Sequence, residues 1–246
     1  MKVALLLRGL TYKEQYIHHT GRILKIDYRV NLDKIKSQII EPLKNKYDLD
    51  IFLVSYKNSL DEADIMKDFD CINADFLPEE GQTQTDNLLA GLRLIYRKGE
   101  DRYNPQKYDF IVITRFDINL LMNIDDINYD EDKFNFIWSE QTQDGQIGDC
   151  MFFLNGEYLL PFINALNMYS KTTYIKSIHF IKPYIERYIS KQNINIIFDD
   201  FWDSNTDYRS NPLYKIIRLD GPPISYERKP SFFNKFLNNP IKFRIK

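Results

Sequence analysis

The chain has 246 residues and a formal net charge of −2, from 33 Lys and Arg against 35 Asp and Glu. This length accommodates one large α/β domain or two small ones, and the near-neutral charge argues against a protein built to coat nucleic acid. Cys71 and Cys150 lie far apart without CxxC spacing, so the sequence indicates neither a disulfide framework nor a structural zinc site. We therefore expect a cytoplasmic protein from a reducing compartment that does not bind nucleic acid.

Apolar, β-branched runs predict strands that alternate with amphipathic helices. The predicted strands are Val3–Leu7, Ile51–Ser55, Phe110–Thr114, Phe134–Trp138, Met151–Leu154 and Ile194–Phe198. Asn31 is predicted to cap a helix that runs to about Asn45, and a second helix begins near Thr85 or Asp86 and runs to about Lys98. This alternation predicts an α/β fold with a mostly parallel central sheet and helices on both faces.

Domain organisation and membrane contact follow from the composition of a few segments. No repeat or Pro/Gly-rich linker divides the chain, so residues 1–227 are predicted to form one domain. The first apolar run is too short for a signal peptide, and Tyr158–Ser170 is too short to span a membrane. Residues 228–246 are basic and aromatic without any acid, which favours either weak contact with an anionic membrane surface or packing on the domain.

Two predicted strands end in residues suited to a nucleotide. In parallel sheets, ligands bind at the carboxyl ends of the strands. Arg8-Gly9 follows the first strand, and a cation followed by glycine lets the backbone turn closely around a phosphate or base. The alternative is a surface arginine at a turn. Tyr56 follows the second strand among polar groups that suit a nucleoside or any loop.

The strongest pattern is Thr114-Arg115-Phe116-Asp117, directly after an apolar strand. Alternation allows Arg115 and Asp117 to face the same cleft while Phe116 points away. A carboxylate in such a place can hold a divalent cation on a diphosphate, and the guanidinium can bind phosphate oxygens in a fork. The alternative is a structural ion pair that closes the strand end.

Acids at two other strand ends are candidates for proton transfer. Asp149 comes immediately before the apolar strand from Cys150 to Leu154 and could be a general base toward a hydroxyl, or could accept backbone hydrogen bonds there. Asp199 and Asp200 follow the strand at 194–198, and at most one of these neighbours enters a shared site. His179 fits a structural role better than a metal-binding one.

The sequence resembles small GT-A-type glycosyltransferases, including viral and bacterial enzymes that build surface glycans. The resemblance covers about residues 1–205. It rests on Arg8-Gly9, on the helix start Gln84-Thr85-Asp86-Asn87, and on Tyr108-Asp109-Phe110 leading to Thr114-Arg115-Phe116-Asp117. These enzymes commonly carry Asp-x-Asp after the central strand, and its carboxylates bind Mn²⁺ or Mg²⁺ that bridges the diphosphate of the sugar nucleotide.

The resemblance implies roles for particular residues. Arg115 replaces the first acid of Asp-x-Asp, which leaves Asp117 as the matching metal ligand, and a guanidinium can neutralise part of the diphosphate charge without a cation. The residues expected to bind the nucleotide sugar are Arg8, Gly9, Tyr56, Asp86, Arg115 and Asp117. Asp149 or Asp199/Asp200 would then lie near the acceptor.

The leading hypothesis is a transferase that moves a sugar from a nucleotide-diphosphate donor to a hydroxyl of a glycan or glycoconjugate. If the configuration inverts, Asp149 is the first candidate for the base and Asp200 the second; if it is retained, no such base is required. The alternative is a non-catalytic carbohydrate-binding or assembly protein on a degenerate transferase scaffold, which the missing acid and the aromatic content favour. A nucleotidyltransferase is disfavoured because Leu7-Arg8-Gly9 is poor in glycine.

Overall fold

A computed structural model describes most of the chain as one succession of strands and helices. The described residues are 1–17, 23–80, 82–99, 108–139, 146–172, 177–198, 213–217 and 219–220. The strands are β1 (Lys2–Arg8), β2 (Tyr12–Ile17), β3 (Ile23–Asp27), β4 (Asp48–Tyr56), β5 (Asn73–Leu77), β6 (Phe110–Arg115), β7 (Ile118–Leu120), β8 (Phe134–Trp138), β9 (Met151–Asn155), β10 (Ile194–Phe198), β11 (Tyr214–Ile216) and β12 (Leu219–Asp220). The α-helices are α1 (Leu32–Ile35), α2 (Glu41–Lys46), α3 (Glu62–Phe69), α4 (Gln84–Gly99), α5 (Leu159–Thr172) and α6 (Lys182–Ile185).

A seven-stranded sheet in the order β10-β8-β9-β6-β1-β4-β5 forms the centre of the protein. β1 lies between β4 and β6 and pairs parallel with both, so that Leu7 lies beside Leu53 and Thr114. β9 runs antiparallel to β6 and β8, whereas β5 and β10 extend the sheet through parallel pairs. All six predicted strands lie in this sheet, and the mostly parallel arrangement is confirmed.

Alternate side chains of β1 enter two separate cores, one on each face of the sheet. Val3, Leu5 and Leu7 pack in the core that also holds the apolar residues of α1, α2 and α3. Ala4 and Leu6 pack in the other core, against α4, α5 and α6. Because burial on both faces removes water from every side chain of the central strands, these strands are apolar throughout. The prediction of helices on both faces is confirmed.

Asn31 starts the first helical segment, but its side chain does not cap it as the sequence predicted. The helix continues from α1 through a π-helical turn at Lys36–Ile40 into α2. The Asn31 side chain makes no capping hydrogen bond. Instead, its Nδ2 donates to the backbone oxygens of Phe116 (3.1 Å) and Ile118 (2.6 Å). Asn31 therefore holds the chain just after β6, next to Asp117.

We expect Asn31→Ala and Asn31→Ser to lower the free energy of unfolding by similar amounts, about 2 kcal/mol each, because both leave two buried carbonyls without their donor. Serine is as good a cap as asparagine, so it would restore stability only if capping were the role of this residue. Chemical denaturation monitored by circular dichroism measures both variants. Recovery of wild-type stability by Asn31→Ser would contradict the assigned contact.

Two smaller sheets lie beside the central one. β2 and β3 form an antiparallel hairpin extended by β12, and β7 pairs antiparallel with β11. Among the described residues, no helix is long and apolar enough to cross a membrane. The predicted extension 228–246 lies outside the described residues.

Candidate functional site

A cavity of about 290 Å³ opens at the carboxyl ends of β1, β4 and β6. The hairpin β2–β3, the loop after β5 and the first turn of α4 close its sides. Its lining residues are Arg8, Gly9, Leu10, Tyr16, Ile26, Tyr56, Glu79, Gln82, Gln84, Asn87, Arg115 and Asp117. The structure thus brings together five of the predicted donor-binding residues, which come from three separate strand ends.

Sheet register explains why these side chains converge. Arg8, Tyr56 and Arg115 each end a strand on the face that packs against α4, because they alternate with Leu6, Val54 and Ile113 of that core. Register places Arg8 directly beside Arg115 on the neighbouring strand. The three side chains therefore meet in the gap between the strand ends and the start of α4.

Gly9 lets the chain turn away from β1 at the floor of the cavity. Its φ is +107°, a value that residues other than glycine rarely adopt. Its N–H donates to the Val54 oxygen at 3.1 Å. A Cβ at this position would meet nothing within 4 Å. Glycine is therefore required by the backbone conformation, and the space beside it stays open to the cavity.

Arg115 is the centre of a buried charged cluster. Its Nε and Nη2 donate to the two carboxylate oxygens of Asp117 at 2.8 and 2.7 Å. Its Nη1 lies 3.2 Å from both carboxylate oxygens of Asp149. One guanidinium thus pairs with two acids, which occupy all three of its nitrogens.

Arg8 is the second cation of the cluster and is only 1% exposed. Its Nη2 donates to the backbone oxygen of Asp149 and lies 3.5 Å from the Asp149 carboxylate. Burial lowers the pKa of Arg8, while Asp149 opposes that shift. Asp149 is therefore the shared counter-ion of Arg8 and Arg115.

The surroundings of Asp149 favour the anion strongly. Burial alone would raise the pKa of this carboxyl group, but Arg115, then His179 and Arg8, hold it well below its usual range. Asp149 is 3% exposed and is not among the residues that line the cavity. A carboxylate so strongly stabilised as an anion is a poor proton acceptor, and its contacts favour positioning the two arginines.

Residues around Asp149 fix the chain that carries it. His179 Nδ1 lies 2.9 Å from the Ile147 oxygen, so the ring donates this hydrogen bond, and Ile147 N–H donates to the His179 oxygen. On the other side, Cys150 Sγ lies 2.7 Å from the Tyr214 hydroxyl, and Tyr214 stacks on Trp138 with ring centroids 5.0 Å apart. Asp149 is therefore held from both neighbouring segments.

Asp86, another predicted donor-binding residue, lies beside the cavity and does not line it. Its Oδ2 accepts from the N–H and the hydroxyl of Thr83 at 2.9 and 2.7 Å, at the start of α4. Tyr56 braces the same turn from the cavity side, because its hydroxyl donates to the Thr83 oxygen at 3.1 Å. Burial raises the pKa of Tyr56 to about 12, so this hydroxyl stays protonated at neutral pH.

Two buried side chains at the cavity carry polar atoms without protein partners. Arg8 Nε and both amide atoms of Asn87 have no hydrogen-bond partner within the described part of the chain, although Asn87 is 0% exposed. Unsatisfied buried polar groups are destabilising, and natural proteins keep few of them. These atoms are therefore candidates to bind a ligand. The sequence analysis missed Asn87 as a separate site residue because an asparagine in a first helical turn is unremarkable until its packing is known.

The described residues do not offer a set of metal-ligating side chains suited to Mn²⁺ or Mg²⁺. Both oxygens of Asp117 accept from Arg115, and Asp149 is shared by two guanidiniums. No group of three or more His, Cys, Asp or Glu side chains in the described ranges could hold a metal ion. Asp199 and Asp200 lie outside the described residues.

Comparisons with known proteins give similarity in fold but none in sequence. No protein-family model and no curated protein matches the sequence. Among solved structures, a glycosyltransferase involved in glycosylation of the major capsid of PBCV-1 has 10% identity and a TM-score of 0.43, over 81% of this chain and 82% of that one. The apo form of the glycosyltransferase GlyE of Streptococcus pneumoniae has 8% identity and a TM-score of 0.46, over 91% of this chain and 56% of that one.

A nucleotide-diphospho-sugar transferase assigned in Desulfovibrio desulfuricans has 12% identity and a TM-score of 0.42, over 85% of this chain and 87% of that one. The chain is thus similar to glycosyltransferases of viral and bacterial origin. TM-scores below 0.5 at such low identity support no conclusion about what this chain binds or catalyses. We therefore infer the function from the geometry of the cavity.

Proposed function

We propose that the chain is a GT-A-like glycosyltransferase that binds a nucleotide-diphosphate sugar in the cavity at the ends of β1, β4 and β6. The observation that carries the proposal is the convergence there of two arginines with the unsatisfied atoms of Arg8 and Asn87. A nucleotide sugar supplies both kinds of partner, since its phosphates accept hydrogen bonds and its base and sugar both donate and accept them. The acceptor is a hydroxyl of a glycan or glycoconjugate.

The roles of the cavity residues follow from their contacts. Arg8 Nε donates to a phosphate oxygen, and Arg115 neutralises the charge that builds up on the departing diphosphate. The amide nitrogen and oxygen of Asn87 bind a group of the nucleotide sugar that both donates and accepts hydrogen bonds. Asp117 and Asp149 hold Arg115 in place, so its guanidinium is already oriented before the donor binds.

In the transfer step, the acceptor oxygen forms a bond to the anomeric carbon of the donor sugar. The bond between that carbon and the β-phosphate oxygen breaks, and the nucleoside diphosphate leaves with the electron pair. An inverting transfer requires a base for the acceptor proton. Because Asp149 is committed to two guanidiniums, Asp200 becomes the first candidate for this base and Asp149 the second.

The alternative of a non-catalytic carbohydrate-binding or assembly protein is favoured by one observation. Both acids of the cluster serve as counter-ions of arginines, which leaves no acid of the cluster placed for proton transfer. A binding protein on this scaffold would bind the sugar or its nucleotide without breaking the glycosidic bond.

A panel of nucleotide sugars separates the two functions, with thermal unfolding measured first and slow donor hydrolysis second. A transferase is stabilised by at least one nucleotide sugar and releases its nucleoside diphosphate, because a ligand that binds only the folded state adds stability. Asp117→Ala should abolish that release, and near-normal turnover would contradict the assigned role. Stabilisation by free sugars alone, without hydrolysis of any nucleotide sugar, would support the binding protein instead.

Asn87→Leu is expected to separate stability from function. Replacing a buried amide that has no hydrogen-bond partner among the described residues with an apolar side chain of similar size should leave the melting temperature unchanged or raise it. The affinity for the nucleotide sugar should fall about tenfold or more, because the hydrogen bonds of the amide to the ligand are lost. A loss of about 1.4 kcal/mol in binding free energy corresponds to a factor of ten in affinity. Leu88→Asn, on the apolar face of the same helix, is the matched control and should destabilise the fold. A large loss of stability in Asn87→Leu would contradict the role of Asn87 as a ligand-binding residue.

A further inference from the structure

The pairing within the charged cluster differs from the pairing that a metal-dependent sugar-nucleotide site needs. A cation that bridges a diphosphate to the protein requires carboxylate oxygens that face the ligand. Here the Asp117 carboxylate is bound by Nε and Nη2 of the Arg115 guanidinium in a two-point contact of 2.8 and 2.7 Å. A metal ion at Asp117 would have to share this carboxylate with the guanidinium and would then lie next to its positive charge.

Asp149 offers no substitute ligand. Its carboxylate lies 3.2 Å from Arg115 and 3.5 Å from Arg8, and its side chain is only 4% exposed. Removing it from this pairing would leave the two neighbouring guanidiniums, side by side in the β1–β6 register, without a shared counter-ion. The two acids of the cluster therefore balance the charges of the two arginines, and the cluster requires no further cation.

Next to the cluster, two buried donors lack a hydrogen-bond acceptor among the described residues. Arg8 Nε is buried at the cavity and has no partner among the described residues. Asn87 Nδ2 is a second donor without a partner on the same cavity. An oxygen-rich anion satisfies these donors directly, whereas a cation would oppose the two arginines.

We infer that this chain binds the diphosphate of its donor through Arg8 and Arg115 without a divalent cation. This inference rests on the proposed function, because it concerns how the same cavity holds the same ligand. In this arrangement Asp117 positions Arg115 and does not ligate a metal. Arg115 thus takes the place that a divalent cation would occupy against the diphosphate.

Equilibrium binding tests the inference without any dependence on turnover. Uridine diphosphate and guanosine diphosphate are titrated by calorimetry into the full chain treated with EDTA, and then into the chain with Mn²⁺ or Mg²⁺. We expect one nucleotide to bind with dissociation constants that agree within about threefold in the presence and absence of the cations. Binding that needs either cation, or that strengthens more than about tenfold with it, would overturn the inference and leave the proposed function intact.

Two variants of Arg115 sharpen the same titration. Arg115→Gln removes the charge and should weaken binding in EDTA by about tenfold or more, with no recovery on addition of Mn²⁺. Arg115→Asp releases Asp117 and creates an Asp-x-Asp sequence, so any binding that remains should become dependent on Mn²⁺. Wild-type affinity of Arg115→Gln in EDTA would overturn the inference even if Arg115→Asp did not fold. Failure of the wild-type chain to bind either nucleotide, or any nucleotide sugar of the panel described above, under every condition would overturn the proposed function, and this inference with it.

Discussion

Replacing Asp149 with Asn is expected to lower the free energy of unfolding by about 4 kcal/mol, the largest effect on stability that we expect at the site. The carboxylate is the shared counter-ion of Arg8 and Arg115, and the side chains of both arginines are largely buried. Asparagine keeps the shape but removes the charge, so two neighbouring guanidiniums are left with only Asp117 to compensate them. Urea denaturation of the wild type and the variant at neutral pH measures the difference.

The same pair of proteins gives a pH signature. The pKa of Asp149 is lowered in the folded state from its ordinary value of 3.8, so the unfolded chain takes up this proton first as the pH falls. The stabilisation is therefore fully present above the ordinary pKa and is lost as the pH falls below it, toward the folded-state pKa. Asp149→Asn should show a shallower loss of stability in acid than the wild type. Parallel acid profiles for the wild type and Asp149→Asn would contradict the ion-pair network.

Replacing Arg8 with Met is expected to abolish measurable donor binding, a loss of more than about 100-fold in affinity, since hydrogen bonds to charged groups contribute about 1.5–3 kcal/mol each. Methionine keeps the length of the side chain and removes both the charge and the unsatisfied Nε–H. Calorimetric titration with the nucleotide sugar that most stabilises the wild type measures the loss.

Two controls separate binding from folding in this experiment. Arg8→Lys retains the charge beside Asp149 but cannot present the planar fork of donors, so it should fold and bind the donor more weakly than the wild type. Arg187→Met makes the same chemical change on an exposed arginine after α6 and should bind normally. Equal affinity of Arg8→Lys and the wild type would contradict a directional role of the Arg8 guanidinium.

The elements that the sequence predicted correctly are those whose burial leaves a simple pattern. β1 and β6 are buried on both faces, and unbroken apolar runs therefore mark them. β5 (Asn73–Leu77) was missed because this short edge strand is only partly buried and contains the polar residues Asn73 and Asp75. The hairpin strand β2, which is rich in polar residues, was missed for the same reason. α5 overlaps Tyr158–Ser170, a stretch whose length was compared only with that of a membrane span.

The sequence predicted the site only through the positions at which the strands end. Parallel register brings Arg8, Tyr56 and Arg115 together, and a sequence shows where strands end. The spacing offered an ion pair of Arg115 with Asp117 as an alternative, whereas the contact of Arg115 with Asp149 depends on side-chain geometry and could not be derived from the sequence. The same holds for Asn31, whose side chain donates to the segment after β6, and for Asn87, whose amide has no hydrogen-bond partner in the described part of the chain.

The most direct test of the proposed function is a crystal structure of the chain with the nucleotide sugar that gives the largest thermal stabilisation. We expect the diphosphate to lie in the cavity at the ends of β1, β4 and β6. A phosphate oxygen should lie within hydrogen-bonding distance of Arg8 Nε, and the Asn87 amide should contact the same ligand. A nucleotide sugar bound elsewhere on the protein, or a cavity in which Arg8 and Asn87 do not touch the ligand, would contradict it.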